Sequence, residues 1–174
     1  MEFNLDSLII RKADISDAKN IIDYVNKIGG ESDFLTFGEN EFNVSVENEE
    51  SYLESILKSD NSLFIIAEVD GKIAGNLNFS GGGRTRIKHT GEFGVSVLKE
   101  YWGNGIGRLL IEYLIDWAKK NDVIKKINLR VREDNLKGIE LYKKLGFIEE
   151  GIISRDFIVE GKFYSSICMG LEIE

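Results

Sequence analysis

A chain of 174 residues with 43% hydrophobic side chains has the size and apolar content of one globular domain, which excludes collagen-like, coiled-coil and disordered classes. Its 22 Lys and Arg against 30 Asp and Glu leave a formal charge of -8, which disfavours a sequence-independent grip on nucleic-acid phosphates. The longest apolar runs, such as Leu63 to Ala67, are far below the roughly 20 residues that cross a bilayer, and Met1 to Ser7 carries Glu2 and Asp6 where a leader would be basic. With Cys168 as the lone thiol, the expectation is a cytoplasmic chain with neither a membrane nor a nucleic-acid partner.

In chain order, Leu8 to Arg11 reads as a short strand. Asp14 or Ser16 then caps a helix whose apolar positions Ala18, Ile21, Ile22, Val25 and Ile28 recur at helical spacing, and Gly29 and Gly30 stop it. From Glu31 to Glu54 there are eight acids and no Lys or Arg. A second helix starts at Ser45 within this stretch, with Tyr52, Leu53, Ile56 and Leu57 as its buried stripe. Ser62 to Val69 and Lys72 to Ser80 flank Asp70-Gly71, a pair that supplies the positive φ angles of a two-residue hairpin turn. After a loop at Gly81 to Arg86 the order is strand, helix, strand, helix, strand, strand. These are Glu92 to Leu98, Gly105 to Lys120 with Leu109, Leu110, Tyr113, Leu114, Trp117 and Ala118 on its broad apolar face, Ile127 to Arg132, Leu136 to Lys144, Phe147 to Ile158 and Lys162 to Glu172. The fold class is α/β: one domain, 1–174, with a mixed central sheet flanked by helices.

Gly103, Gly105 and Gly107 lie where a strand turns into the long helix. The first turn of a helix carries N–H groups without intrahelical partners and partial positive charge, so main chain alone can hold a pyrophosphate there, with Arg108 at the rim. The alternative is a loop that merely turns tightly. A dinucleotide fingerprint needs GxGxxG, and residue 108 is Arg where the third glycine belongs; no GxxxxGK[ST] string occurs either.

Val97-Leu98-Lys99-Glu100-Tyr101-Trp102-Gly103-Asn104-Gly105-Ile106-Gly107-Arg108-Leu109-Leu110 resembles the acetyl-CoA pyrophosphate loop of the GNAT superfamily of N-acetyltransferases. Val131-Arg132-Glu133-Asp134-Asn135 followed by Leu141-Tyr142-Lys143-Lys144-Leu145-Gly146-Phe147 resembles that family's second conserved block. The motifs cover the second half of the chain and the element order covers all of it. Trp102 departs from the Arg or Gln usual in the family.

The resemblance implies splayed central strands, acceptor-side helices and hairpin in 1–80, and an acetyl-CoA-binding core in 87–174. It implies that acetyl-CoA is held by Trp102, Gly103, Asn104, Gly105, Ile106, Gly107 and Arg108, by main chain at Val95 and Val97, and by Asn135 and Tyr142, with no metal. Tyr142 takes the place that protonates the departing thiolate; without the motif it reads as a core tyrosine beside Ile139 and Leu145. Asn135 reads equally as a helix cap.

A primary amine must lose a proton before attack, and Glu92 ranks first as its acceptor, ahead of His89, the one histidine. The acidic stretch reads either as solvated surface or as a field that draws a cationic acceptor, with Phe34, Phe37 and Phe42 lining the pocket or filling core. The implied activity is acetyl transfer to a primary amine of a small cationic molecule by direct attack in a ternary complex. Protein N-terminal acetylation and a non-catalytic acyl-CoA sensor are the alternatives. The family often pairs its last strands across a homodimer, and the oligomeric state is left open.

Overall fold

A computed structural model describes residues 5–174. The elements run β1 (Ile9–Lys12), α1 (Ala18–Gly29), α2 (Val46–Lys58), β2 (Ser62–Val69), β3 (Lys72–Gly81), β4 (Thr90–Val97), α3 (Ile106–Lys119), β5 (Lys126–Arg132), α4 (Leu136–Lys144), β6 (Ile148–Val159) and β7 (Lys162–Glu172). Both hairpins turn where the sequence places them. Asp70 and Gly71 take φ of 50° and 76°, and Glu160 and Gly161 take 49° and 77°, the left-handed pair that a twisted two-residue hairpin requires.

The seven strands form one sheet in the order β1-β2-β3-β4-β5-β7-β6, antiparallel throughout except at β4 and β5. Alternation along the central strands sends their side chains to two different layers. Odd-numbered residues of β3 and β4 face α3 and α4: Phe79 meets Trp117 edge-on at 5.8 Å, and Phe93 meets Tyr142 at 6.1 Å. Even-numbered residues face α1 and α2, where the Tyr24 hydroxyl lies 2.9 Å from Ser96 Oγ, which itself donates to Asn76 Oδ1 at 2.8 Å. The core spans both layers, and Ile65, Ile66, Leu77, Phe79, Leu110, Ile111 and Leu114 are fully buried.

Two apolar stripes differ from their sequence reading. In α3 the buried face is Ile106, Leu110, Ile111, Leu114 and Ala118, while Leu109, expected on it, is 41% exposed. In α2 the buried positions are Glu49 and Leu53, with Ile56 half-buried; Tyr52, 37% exposed, still lays its ring edge-on against Phe64 at 6.4 Å, whereas Leu57 turns outward. In α3 the i, i+4 ridge Ile106, Leu110, Leu114 and Ala118, not the locally densest apolar run, meets the sheet.

The entry into α1 is anchored by charge. Arg11 on β1 donates to both Asp17 oxygens, at 2.7 and 2.9 Å, and to Glu68 at 2.9 Å, while Asp17 also accepts the Asp14 N–H at 2.7 Å. Arg11 and the Asp14 N–H together hold the Asp17 carboxyl below the usual carboxylate range. Among the described residues no helix is long and apolar enough to cross a membrane. Edge strand β6 carries exposed Ile148, Ile152 and Ile158.

Candidate active site

The parallel ladder between β4 and β5 lasts only three pairs, Thr90 with Lys126, Gly91 with Ile127 and Glu92 with Asn128, and then ends. The strands therefore diverge beyond Glu92. The Leu98 N–H donates to Ala74 O at 2.9 Å, so even-numbered residues of β4 spend their main-chain groups on β3. Those of Phe93, Val95 and Val97 point into the gap. Val95 and Val97 thus stand where the sequence reading wants unpaired main chain.

Trp102 has a role the sequence did not disclose. Its indole N–H donates to Val97 O at 2.7 Å and ties the glycine loop to the end of β4, leaving the Val97 N–H as the group still free there. Asn104 closes the same loop from inside, donating to Tyr101 O at 2.9 Å and Trp102 O at 3.3 Å. Gly103 and Gly105 adopt φ of 80° and 75°, and no atom lies within 4 Å of where either Cβ would stand. The open side of the loop is therefore free space. The first helical bond that closes onto Gly105 comes from the Leu109 N–H, so the amides of Ile106, Gly107 and Arg108 start α3 without intrahelical acceptors. Arg108 is exposed and leans on Glu112 at 2.8 Å.

Across the gap, α4 presents Tyr142 between Phe93 and Phe147, with ring centroids at 6.1 and 6.0 Å. Burial pushes its phenol up to about 12, so it stays protonated across the physiological range. Asn135 does cap α4: its Oδ1 accepts the Gly138 N–H at 3.1 Å. These groups come from β4, the glycine loop, α3 and α4 around the parting of β4 and β5, with free amides at the start of α3 and the Tyr142 phenol packed on Phe93. They suit a pantetheine diphosphate thioester, because main-chain donors at a helix start face open space at Gly103 and Gly105.

On the α1/α2 face the sheet is uncovered at its centre. Asn78 and Ser80 of β3 and their cross-strand partners Gly94 and Glu92 of β4 are all exposed, although both strands are interior. They floor a polar trough beside the point where β4 and β5 part. Gly94 keeps that floor low, since a Cβ there would stand 3.5 Å from Asn78 Oδ1. Tyr52 of α2 walls one side. Burial raises its phenol pKa while Asn78 and Ser80 pull it down. The opposite side continues into a depression of about 430 Å³ over β5 and β7, bordered by Glu92, Arg130 and Cys168.

Glu92, ranked first as proton acceptor, reaches the trough but is already engaged. Arg130 donates to it at 3.0 Å and also lies 3.6 Å from Asp156. His89 lies exposed in the loop before β4, its carbonyl accepting the amides of Lys125 and Lys126.

The acidic stretch is not one feature. Glu31 accepts the Lys99 N–H at 2.7 Å, Glu41 accepts the Gly38 N–H at 2.8 Å, Glu54 pairs with Lys58 at 2.7 Å, and Glu49 is 97% buried, leaving 3% exposed. Arg132, quoted only as part of a motif, holds this segment to the sheet. Its guanidinium sits between the rings of Phe34 at 4.5 Å and Tyr164 at 4.0 Å, bonds both Asp134 oxygens, and donates to Asp33 O at 2.8 Å. Phe34 is thereby a lid on Arg132, while Phe37 and Phe42 pack against the core.

Comparison with known proteins agrees with this geometry. Residues 32–147 match the acetyltransferase (GNAT) family model. The crystal structure of a GNAT-family acetyltransferase from Streptococcus pneumoniae superposes with a TM-score of 0.93 at 34% identity, over 96% of this chain and 99% of that one. Among curated proteins, the SPbeta prophage-derived uncharacterized N-acetyltransferase YokL of Bacillus subtilis is 29% identical over 75% of this chain and 72% of its own length. The spermidine N(1)-acetyltransferase of Escherichia coli K12 is 26% identical over 84% and 77%. A cleft of free amides between parting strands, a family match across most of the chain and a near-complete structural superposition lead to one assignment: the chain belongs to the GNAT family and is an acetyl-CoA-dependent N-acetyltransferase.

Proposed function

We propose that this enzyme acetylates a primary amine of a small cationic molecule, by direct attack within a ternary complex of enzyme, acetyl-CoA and amine. The observation that carries the reading is the gap between β4 and β5. It opens on one side to the glycine loop and α4, and on the other to a polar trough. A donor held on one face thus meets an acceptor entering from the other. Acetyl-CoA supplies the activated acetyl group as a thioester.

The chain's own residues do the rest. The amides that start α3, with those of Gly103 and Gly105, bind the diphosphate in the space that the absent Cβ atoms leave. The free main chain of Val95 and the Val97 N–H orient the pantetheine arm and the acetyl oxygen, and the Asn135 amide reaches the same arm while its oxygen caps α4. Tyr142 keeps its hydroxyl proton for donation to the leaving sulfur. Net charge of -8 favours cations over anions at the trough, and the E. coli relative named for spermidine supports a cationic acceptor. The single free thiol, Cys168, suits a reducing, cytoplasmic setting.

A thiol-release assay over a panel of diamines, polyamines, amino acids and peptide N-termini tests the reading. Amine-dependent CoA release with diamines or polyamines supports it. Release with peptide N-termini alone, or binding of acetyl-CoA without amine-dependent release, overturns it in favour of a protein acetyltransferase or a sensor.

A further inference from the structure

Glu49 is out of place for a carboxylate. It stands in the first turns of α2, one helical turn before Leu53, on the face turned toward the sheet, with 3% of its surface exposed. Among the described residues no Lys, Arg or His pairs with it and its carboxylate accepts no hydrogen bond. Its oxygens keep a little solvent contact, since Ser166 Oγ is the one side-chain polar atom among the described residues that is both fully buried and unpartnered, yet a carboxylate this far withdrawn from water without a counter-ion is costly, and such groups are normally paired. Burial raises its pKa.

Its surroundings say what completes it. Tyr52, one turn further along α2, lies among Asn78 and Ser80 on the trough floor and feels the charge of Glu49. The cations that border the trough are all committed: Arg130 to Glu92 and Asp156, Lys126 to Glu150, and Arg132 to Asp134 and two aromatic rings. An acceptor that brought its own carboxylate would find no free partner among these described residues. One that brought a positive charge would find Glu49.

The reacting nitrogen must be neutral when it attacks, so a charge that persists through the reaction belongs to a second nitrogen. We infer that Glu49 receives a non-reacting ammonium of the acceptor, and that the preferred substrates are aliphatic diamines or polyamines over monoamines and amino acids. The inference rests on the acetyl-transfer reading above and names the specificity residue within it.

The test compares 1,5-diaminopentane with 1-aminopentane, equal in length and differing in the second nitrogen, as acceptors for wild-type enzyme and Glu49→Gln. Wild type is expected to favour the diamine by at least about tenfold in kcat/KM, the scale of one ion pair out of bulk water. Glu49→Gln should lose most of that preference through KM, with kcat and acetyl-CoA affinity kept, and Glu49→Asp should restore part of it. If wild type turns over neither amine nor spermidine, the small-cationic-acceptor reading fails, and this inference falls with it. If amines are turned over but the diamine preference is absent, or survives in Glu49→Gln, only the assignment of Glu49 is overturned.

Discussion

Tyr142 illustrates how burial sets a residue's chemistry. Its ring is fixed by Phe93 and Phe147, and its phenol is pushed up to about 12, so removing the hydroxyl leaves packing intact and deletes one proton donor. Tyr142→Phe should lower kcat by at least about tenfold with acetyl-CoA affinity unchanged, read by steady-state kinetics and calorimetry. Equal turnover would make the tyrosine a packing residue. Asp17 shows the structural counterpart. Its folded pKa is depressed, so it adds stability that is present above its unfolded pKa near ~4 and lost as pH falls through the folded value. Asp17→Asn should cost about 1–3 kcal/mol at pH 7, since Arg11 and the Asp14 N–H lose a charged acceptor. The two proteins should converge in denaturation midpoint as pH falls through the depressed folded value of Asp17. Asn135 as a cap was legible in the sequence, and so was the packing of Tyr142 on its helix face. Glu49 was not, because its signal is an acid at i−4 from a core leucine, indistinguishable by composition from the solvated acids around it.

At the scale of elements, the glycine loop combines a conformational and a spatial requirement. Gly105 sits at φ 75° at the head of α3, and a side chain there would be strained as well as pointing into the open space where we propose that the diphosphate binds. Gly105→Val should weaken acetyl-CoA binding by at least about tenfold. Gly105→Asn, which tolerates that φ, should fold like wild type and still bind weakly. Wild-type affinity in the Asn variant would move the diphosphate elsewhere. Element boundaries were readable because caps and turns are local: Ser45 accepts the Asn48 N–H at the start of α2, and Asp70-Gly71 turns the hairpin. Which stripe of α3 faces inward was less so. Leu109 and Ile111 are equally apolar in sequence, and only contact with the sheet separates them.

Across the whole molecule, the excess of acids makes acceptor capture a long-range effect as well as a contact. Raising salt from about 0.02 to 0.5 M should increase the KM for 1,5-diaminopentane several-fold, because the screening length shrinks from roughly 20 Å to 4 Å. Glu47→Gln with Glu50→Gln should flatten that dependence, and initial rates at several ionic strengths check both. A KM indifferent to salt would leave exposed Glu47 and half-buried Glu50 without a part in acceptor capture. By itself the sequence determined the α/β class, the order of elements, the family and the place of the glycine loop ahead of the long helix, since all of these depend on neighbours along the chain. Only the tertiary structure decided that Glu92 is held by Arg130, that Arg132 pins the acidic segment between Phe34 and Tyr164, and that Glu49 is buried without a partner. Pairing and burial join residues far apart in sequence, such as Asp33 and Arg132. No periodicity along one segment encodes them.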